Sequence, residues 1–499
     1  MNRSTISLAG AVVALAVLTG IASAAGGSSD PAPSAGTAAR LPVQHTTLLC
    51  PEPSPSELPS TTYTSFTPQG TDTADSGAGS GTGSDAAASG AATLVPATDK
   101  PRALKPLKAP GKPVTYTNNK PGAPALIGAA DGSLAPGWTV QQTTVVDDGP
   151  SRGLLATSCT EPDTEFWFPG ASTADGRQDY VHLVNPDDTP AVVDVELYGA
   201  DGALKTPAGD GITVPGKSSK PVLLSTLTAS KAADVTVHVV ARSGRVGAAV
   251  QATATGKGSD WLPAAAPPAG SLVMPGIPAD ATDVRLTTFA TGSDDADLTL
   301  KLATSGGSIV PAGHETLHVK SGMTMSVDLG DITKGEAGSL LLGSSTTHAP
   351  VPVVAALLVT RGKGASQDLA FIPATSPVGA RATVADNRAK GSTLGLTAVG
   401  SSAQVRITSS AGSGGGTAAT RTVTVKAGAT LSIAPPVPSG LKGSYAVTVQ
   451  HLSGGTVYAS RMLALPDSGV PMFTIQSLSD DRSTVAVPSA SSDLRILEP

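Results

Sequence analysis

Aromatic residues make up only 3% of this 499-residue chain and charged residues 14%. So few rings argue against an extended surface that stacks sugars or bases. A net charge of −6 excludes a chain-wide basic face for nucleic acid. Two cysteines, Cys50 and Cys159, are too few for a disulfide-dense mini-domain, and with no CxxC they form no zinc site of the usual spacing. No long stretch places apolar residues at i, i+3, i+4 and i+7, which excludes a helical bundle. Beyond the N-terminus, no run stays apolar over the roughly 20 residues that cross a bilayer as a helix.

Small and β-branched residues are plentiful instead, with 56 Gly and 41 Pro. That mixture suits short strands and tight turns. The first residues carry an address: Arg3, an apolar run from Leu8 to Ala22, then Ala22-Ser23-Ala24. This is the pattern of a secretory signal over residues 1–25, cut after Ala24 or Ala25, with 26–40 as a linker. An uncleaved membrane anchor is the alternative. In an exported chain Cys50 and Cys159 most simply form one disulfide, closing a loop of about 110 residues.

An internal repeat organises the rest. AVVDVELYGADG (191–202), DLTLKLATSGG (297–307) and AQVRITSSAG (403–412) align, with Val195, Leu300 and Val405 each 105 residues apart. Gly216, Gly322 and Gly428 repeat at 106, as do Val235, Leu341 and Val447. Each anchor run alternates apolar and polar residues, the period of a strand with one buried face. About seven such runs per unit, separated by turn residues, predict an all-β chain of tandem immunoglobulin-like β-sandwiches. A propeller with two blades per unit is the other arrangement this spacing allows. The expected sandwiches are 161–265, 266–372 and 373–499, the last with a C-terminal strand STVAVP. A divergent unit over 41–160 precedes them. There TTLLCP (46–51) resembles the later opening strands and GLLATSC (153–159) a closing one, so the two cysteines staple its first and last strands. A Gly/Ser-rich insert over 67–95 is expected to be disordered.

His314-Glu315-Thr316-Leu317-His318 spells the zinc-protease motif. Its two histidines share a metal only on a helix, and here they align with strands of the neighbouring units. On a strand, residues i and i+4 lie about 13 Å apart, too far for one zinc. The stretch therefore reads as a strand with a polar outer face. GPSRG (149–153) offers Ser151 as a nucleophile, but turn residues precede it and no helix follows, so a hairpin loop is expected. The acid pairs Asp147/Asp148, Asp187/Asp188, Asp294/Asp295 and Asp480/Asp481 sit among turn formers and read as solvated turns. No metal and no cofactor are expected.

KPRALKPLKAPGKPVTYTNNK (100–120) contains Lys100, Arg102, Lys105, Lys108, Lys112 and Lys120 and no acid. This extended run reads either as a solvated connector or as a contact for anionic wall polymer or lipid headgroups. Trp167, in FWFP, is a second binding candidate if exposed, and a packing residue if it lies at a joint between units.

LLCPEP, FWFPG and YVHLVNPDDTPAVVDVELYGADG, together with the signal, resemble a family of secreted proteins of unknown function from high-GC Gram-positive bacteria. The resemblance implies an envelope or extracellular address and assigns no catalytic residues. The expectation is a non-enzymatic envelope protein: a rod of sandwiches that presents loops and edges to a wall polymer or an envelope protein. It engages no nucleic acid, and a membrane only if the signal is retained. A secreted hydrolase using His314/Glu315/His318 or Ser151 is the alternative.

Overall fold

The computed structural model describes residues 39–53, 59–70, 90–98, 100–345 and 350–487. Among them the chain is all β, with antiparallel sheets and no α-helix. The expected signal over 1–25, residues 26–38 of the expected linker and residues 71–89 of the expected insert lie outside these ranges. Both ends of the expected insert belong to the fold. Thr67 is buried and donates its hydroxyl to the Leu134 carbonyl, and Ala92–Pro96 is a strand with Leu94 in the core.

Two compact units are present. The small one contains a two-stranded ribbon, Ala39–Pro42 against Thr484–Val487, with Leu41 opposite Val485. STVAVP is thus neither an edge strand of the last sandwich nor the start of a further one, because its partner comes from the other end of the chain. Arg40 fixes the ribbon through Thr484 Oγ1.

The large unit, 43–483, is built of paired sheets around apolar cores. In the second sandwich, Arg177–Asn185 runs between Ser218–Leu223 and Gly247–Ala254 in one sheet. The other sheet holds Glu165–Ala171, Val235–Ser243 and Ala191–Gly199. Val193, Val195 and Leu197 point inward, and Asp194 and Glu196 outward, as their alternation dictates. The third sandwich repeats this plan. In the fourth, two long strands, Ser392–Ser409 and Tyr445–Ala464, do the work of two strands each. A register shift between Val399 and Ala403 divides their pairing into two stretches.

Each sandwich also ends in a strand at the edge of its second sheet: Gly153–Ser158, Gly258–Leu262, Ser366–Pro373 and Phe473–Leu478. These closing strands touch in a closed cycle, first on second, second on third, third on fourth and fourth on first. Gly153 shows how tight the approach is: a Cβ there would lie 2.4 Å from the Ser259 carbonyl oxygen. The opening strands follow the same cycle, each packing on the next sandwich, His45–Cys50 through Leu49 against Val184 and Gly247. Buried clusters seal every joint. Trp261 packs with Val146 and Leu155, Trp167 with Phe289, Phe473 enters the third core, and Phe66 meets Ala385 and Ala446. The sandwiches of this unit are therefore not strung as a rod. A closing strand buried on both faces leaves no free sandwich surface at the centre.

Candidate functional site

The sequence motifs resolve into turns and strand ends. In GHETLH, Pro311–Gly313 is a turn in which the His314 N–H donates to the Pro311 carbonyl, and the strand begins only at Thr316. Glu315 accepts from the Gly313 N–H and so closes its own turn. His318 stands opposite Asp297 on the neighbouring strand, with Nδ1 2.8 Å from Asp297 and Nε2 3.4 Å from Asp295. Hydrogen bonding to Asp297 raises its pKa above the ordinary histidine value. The helix that the zinc motif requires is absent from this stretch. Ser151 lies in the hairpin loop between Thr139–Val146 and Gly153–Ser158, not on a strand–turn–helix elbow. Among the acid pairs, Asp187 binds Arg245, Asp188 binds Lys217, Asp148 accepts from the Gly149 N–H, and Asp481 is buried against Arg381.

Cys50, the last residue of its strand, and Cys159, just after a closing strand, form a disulfide with Cα atoms 4.4 Å apart. Trp167 is not a binding platform. It is 8% exposed, its ring stacked 3.6 Å from that of His238 and 5.4 Å from that of Phe289 in the third sandwich. The reason is positional: a pleat that puts Phe166 and Phe168 into the core puts Trp167 on the opposite face, and the next sandwich covers that face.

The basic segment is ordered, and it remains a candidate. Leu104 N–H donates to the Leu94 carbonyl and Leu107 N–H to that of Ala92, so the run adds to the sheet edge at Ala92–Pro96. Leu107 is buried while Lys105 and Lys108 face water. Gly111 N–H then donates to the Thr67 carbonyl, and Val114–Asn118 becomes the edge strand beside Ser60–Phe66. Lys100, Arg102, Lys105, Lys108, Lys112 and Lys120 all reach solvent, and none has an acidic partner among the described residues. Cations on a sheet edge also discourage pairing with another chain.

One buried site escaped the sequence reading. Where the closing strands meet, Asp260 Oδ1 accepts from the Ala156 N–H (3.0 Å) and from the Thr474 hydroxyl (3.2 Å). Gln476 Nε2 donates to Thr474 Oγ1 and to the Ala156 carbonyl. Asp368 Oδ2 accepts from the Phe473 N–H at 2.8 Å. Burial drives the Asp260 carboxyl well above its usual range and pushes Asp368 up to about 7. Burial also lowers Arg461, on the neighbouring strand, to about 10. The hub thus holds two acids that burial drives toward the neutral form, and it ties four strands together. Its signal in the sequence was an acid or amide inside a short apolar run, as in SDWLP, QDLAFIP and IQSL.

The geometry assigns no reaction, and the known proteins assign none either. The family of unknown function DUF5719 matches residues 114–436, about two thirds of the chain. The chain belongs to this family. DUF5719 membership agrees with the expected resemblance to an uncharacterised family. No curated protein matches the chain. The DUF5719 match begins after Lys112, so most of the basic segment lies outside it.

Proposed function

We propose that this is an exported, envelope-associated, non-enzymatic β scaffold that holds an anionic wall polymer along residues 100–112. One observation carries the reading: a run of solvent-facing cations with no acidic partner among the described residues, fixed to a sheet edge by backbone hydrogen bonds. Fixed cations lose little freedom on meeting a polyanion, so more of their attraction emerges as affinity. The N-terminal signal pattern and the disulfide support an oxidising, extracellular address. Among the described residues no helix is long and apolar enough to cross a membrane.

The test is co-sedimentation of the mature protein with isolated wall material, with and without its teichoic acids. Binding is expected to saturate, to weaken as salt rises and to vanish with the anionic polymer removed. Replacing Lys105, Lys108 and Lys112 by Gln is expected to lower affinity at least about tenfold at low salt. Binding that ignores both salt and the triple variant would overturn the reading and direct attention to a protein partner.

A further inference from the structure

The joint between the second and third sandwiches and the joint between the third and fourth are built alike. Across the first, Thr324 Oγ1 bonds Thr236 Oγ1 at 2.9 Å; across the second, Thr430 Oγ1 bonds Ser339 Oγ at 2.9 Å. Strand pairing aligns the rest. Thr287 lies opposite Ser326 and Ala356, and Gly395 lies opposite Ser432 and Ser460. Arg285, two residues before Thr287, therefore corresponds to Thr393. At the bulges of the opening strands Ala171 faces Val235 and Ile277 faces Gly338, so Val235 corresponds to Gly338, not to Leu341 as the 106-residue spacing suggests, and Asp234 corresponds to Ala337.

These correspondences mark one difference. The first joint is closed by an ion pair across it, in which Arg285 Nη2 donates to Asp234 Oδ2 at 2.6 Å. The second joint has Thr393 and Ala337 at those two places, and Gly395 where the first has Thr287. A Cβ on Gly395 would lie 2.8 Å from the Gly276 Cα, so the two backbones touch and no side chain fits between them. What remains is a cleft of about 240 Å³, lined by these residues and by Ser432, Ser460, Asp280 and Arg361.

We infer that this cleft binds a neutral polyhydroxylated ligand of the size of one sugar residue. The volume lies below the roughly 300–1,000 Å³ of sites for drug-sized ligands, which limits the occupant to about one ring. Ser460 is 1% exposed, Thr393 is half-buried and Ser432 exposed, and none of the three hydroxyls makes a hydrogen bond with any described residue. An apolar ligand would leave the buried Ser460 hydroxyl stranded. Arg361 is already held by Asp280, Nε to Oδ1 at 2.9 Å, and lies 4.9 Å from the Phe473 ring centroid. An anion would meet the Asp280 carboxylate and a cation the Arg361 guanidinium, so the wall favours neither sign. Asp280 keeps lone pairs for a vicinal diol, and the half-buried Met462 offers apolar contact to ring C–H groups. This site is separate from the basic segment and does not depend on that segment's role.

The experiment is saturation-transfer NMR on the mature full chain at millimolar glucose, galactose, mannose, arabinose and N-acetylglucosamine, with inorganic phosphate followed by its own line width. At least one sugar is expected to receive saturation. The double variant A337D/T393R, which restores the ion pair of the other joint, is expected to abolish the transfer while keeping the melting temperature. S460A, which places the alanine of the other joint, is expected to weaken binding about fivefold, the worth of one hydrogen bond. No transfer to any of the five sugars would overturn the inference. Transfer that survives in a folded double variant would overturn it as well, as would phosphate broadening that disappears there. Should the double variant fail to fold, unchanged affinity in S460A would be decisive against it.

Discussion

Asp368 and His182 are ionisable groups placed where water does not reach, and they pull stability in opposite directions as pH changes. Burial pushes Asp368 from 3.8 to about 7, so the folded chain holds a proton there that the unfolded chain has released. Stability from this group is therefore greatest below about pH 4 and falls as pH rises to about 7, by on the order of 4 kcal/mol. His182 is depressed by burial from 6.5 to about 4. The unfolded chain binds the proton first, so this group's contribution rises between about pH 4 and 6.5, by on the order of 3 kcal/mol. The two trends offset each other in the parent protein. Asp368→Asn is expected to make the dependence of melting temperature on pH more positive than in the parent. His182→Thr, which copies Thr287 from the aligned place in the third sandwich, is expected to make it more negative. Equal profiles for parent and variants would show that neither group titrates as its burial requires. None of this was legible in the sequence. His314 and His318 stood out there because they spell a motif, yet they sit at the surface. His182 and Asp368 carry no motif, and their chemistry comes from neighbours that only the closed cycle supplies.

Strands that bury one face announced themselves, and strands that bury both did not. Val193/Val195/Leu197 and their repeats alternate because one side meets the core and the other meets water. Gly258–Leu262 is buried at every position, so no period of two remains to read. For that reason alternation does not mark the closing strand that holds Trp261. The pairing of Cys50 with Cys159 was legible because the opening strand repeats and because only two cysteines exist. At this scale the disulfide is a measurable tie. It joins residues 109 apart in sequence, which in the chain-entropy model contributes about 4–5 kcal/mol. The double variant C50S/C159S, or the parent in reductant, is expected to unfold at lower denaturant by an amount in that range. Limited proteolysis should then cut first within residues 43–160. Unchanged midpoints would mean that the opening strand is held in place by its packing against Val184 and Gly247 of the second sandwich without the covalent link.

Closure of the cycle makes stability a property of the whole large unit. Leu154, Leu262, Phe371 and Phe473 are all 0% exposed, and each lies on a closing strand whose outer face is covered by other sandwiches. Releasing one sandwich would expose apolar surface on two neighbours at once. A rod of independent repeats would melt in steps, one for each sandwich, whereas a closed cycle has no end from which to fray. The joint of the fourth sandwich with the first gives a direct test. Arg381 and Asp481 form an ion pair in which both side chains are buried, and Gly137 of the first sandwich packs against it. Arg381→Ala leaves the Asp481 charge buried without its partner, a change that costs about 3–5 kcal/mol. Calorimetry of the parent is expected to show one main transition, and R381A to move that whole transition to lower temperature. If R381A instead split off a small early peak and left the rest in place, the sandwiches would be folding independently, and the cycle would be a contact between finished domains and not a condition of their stability.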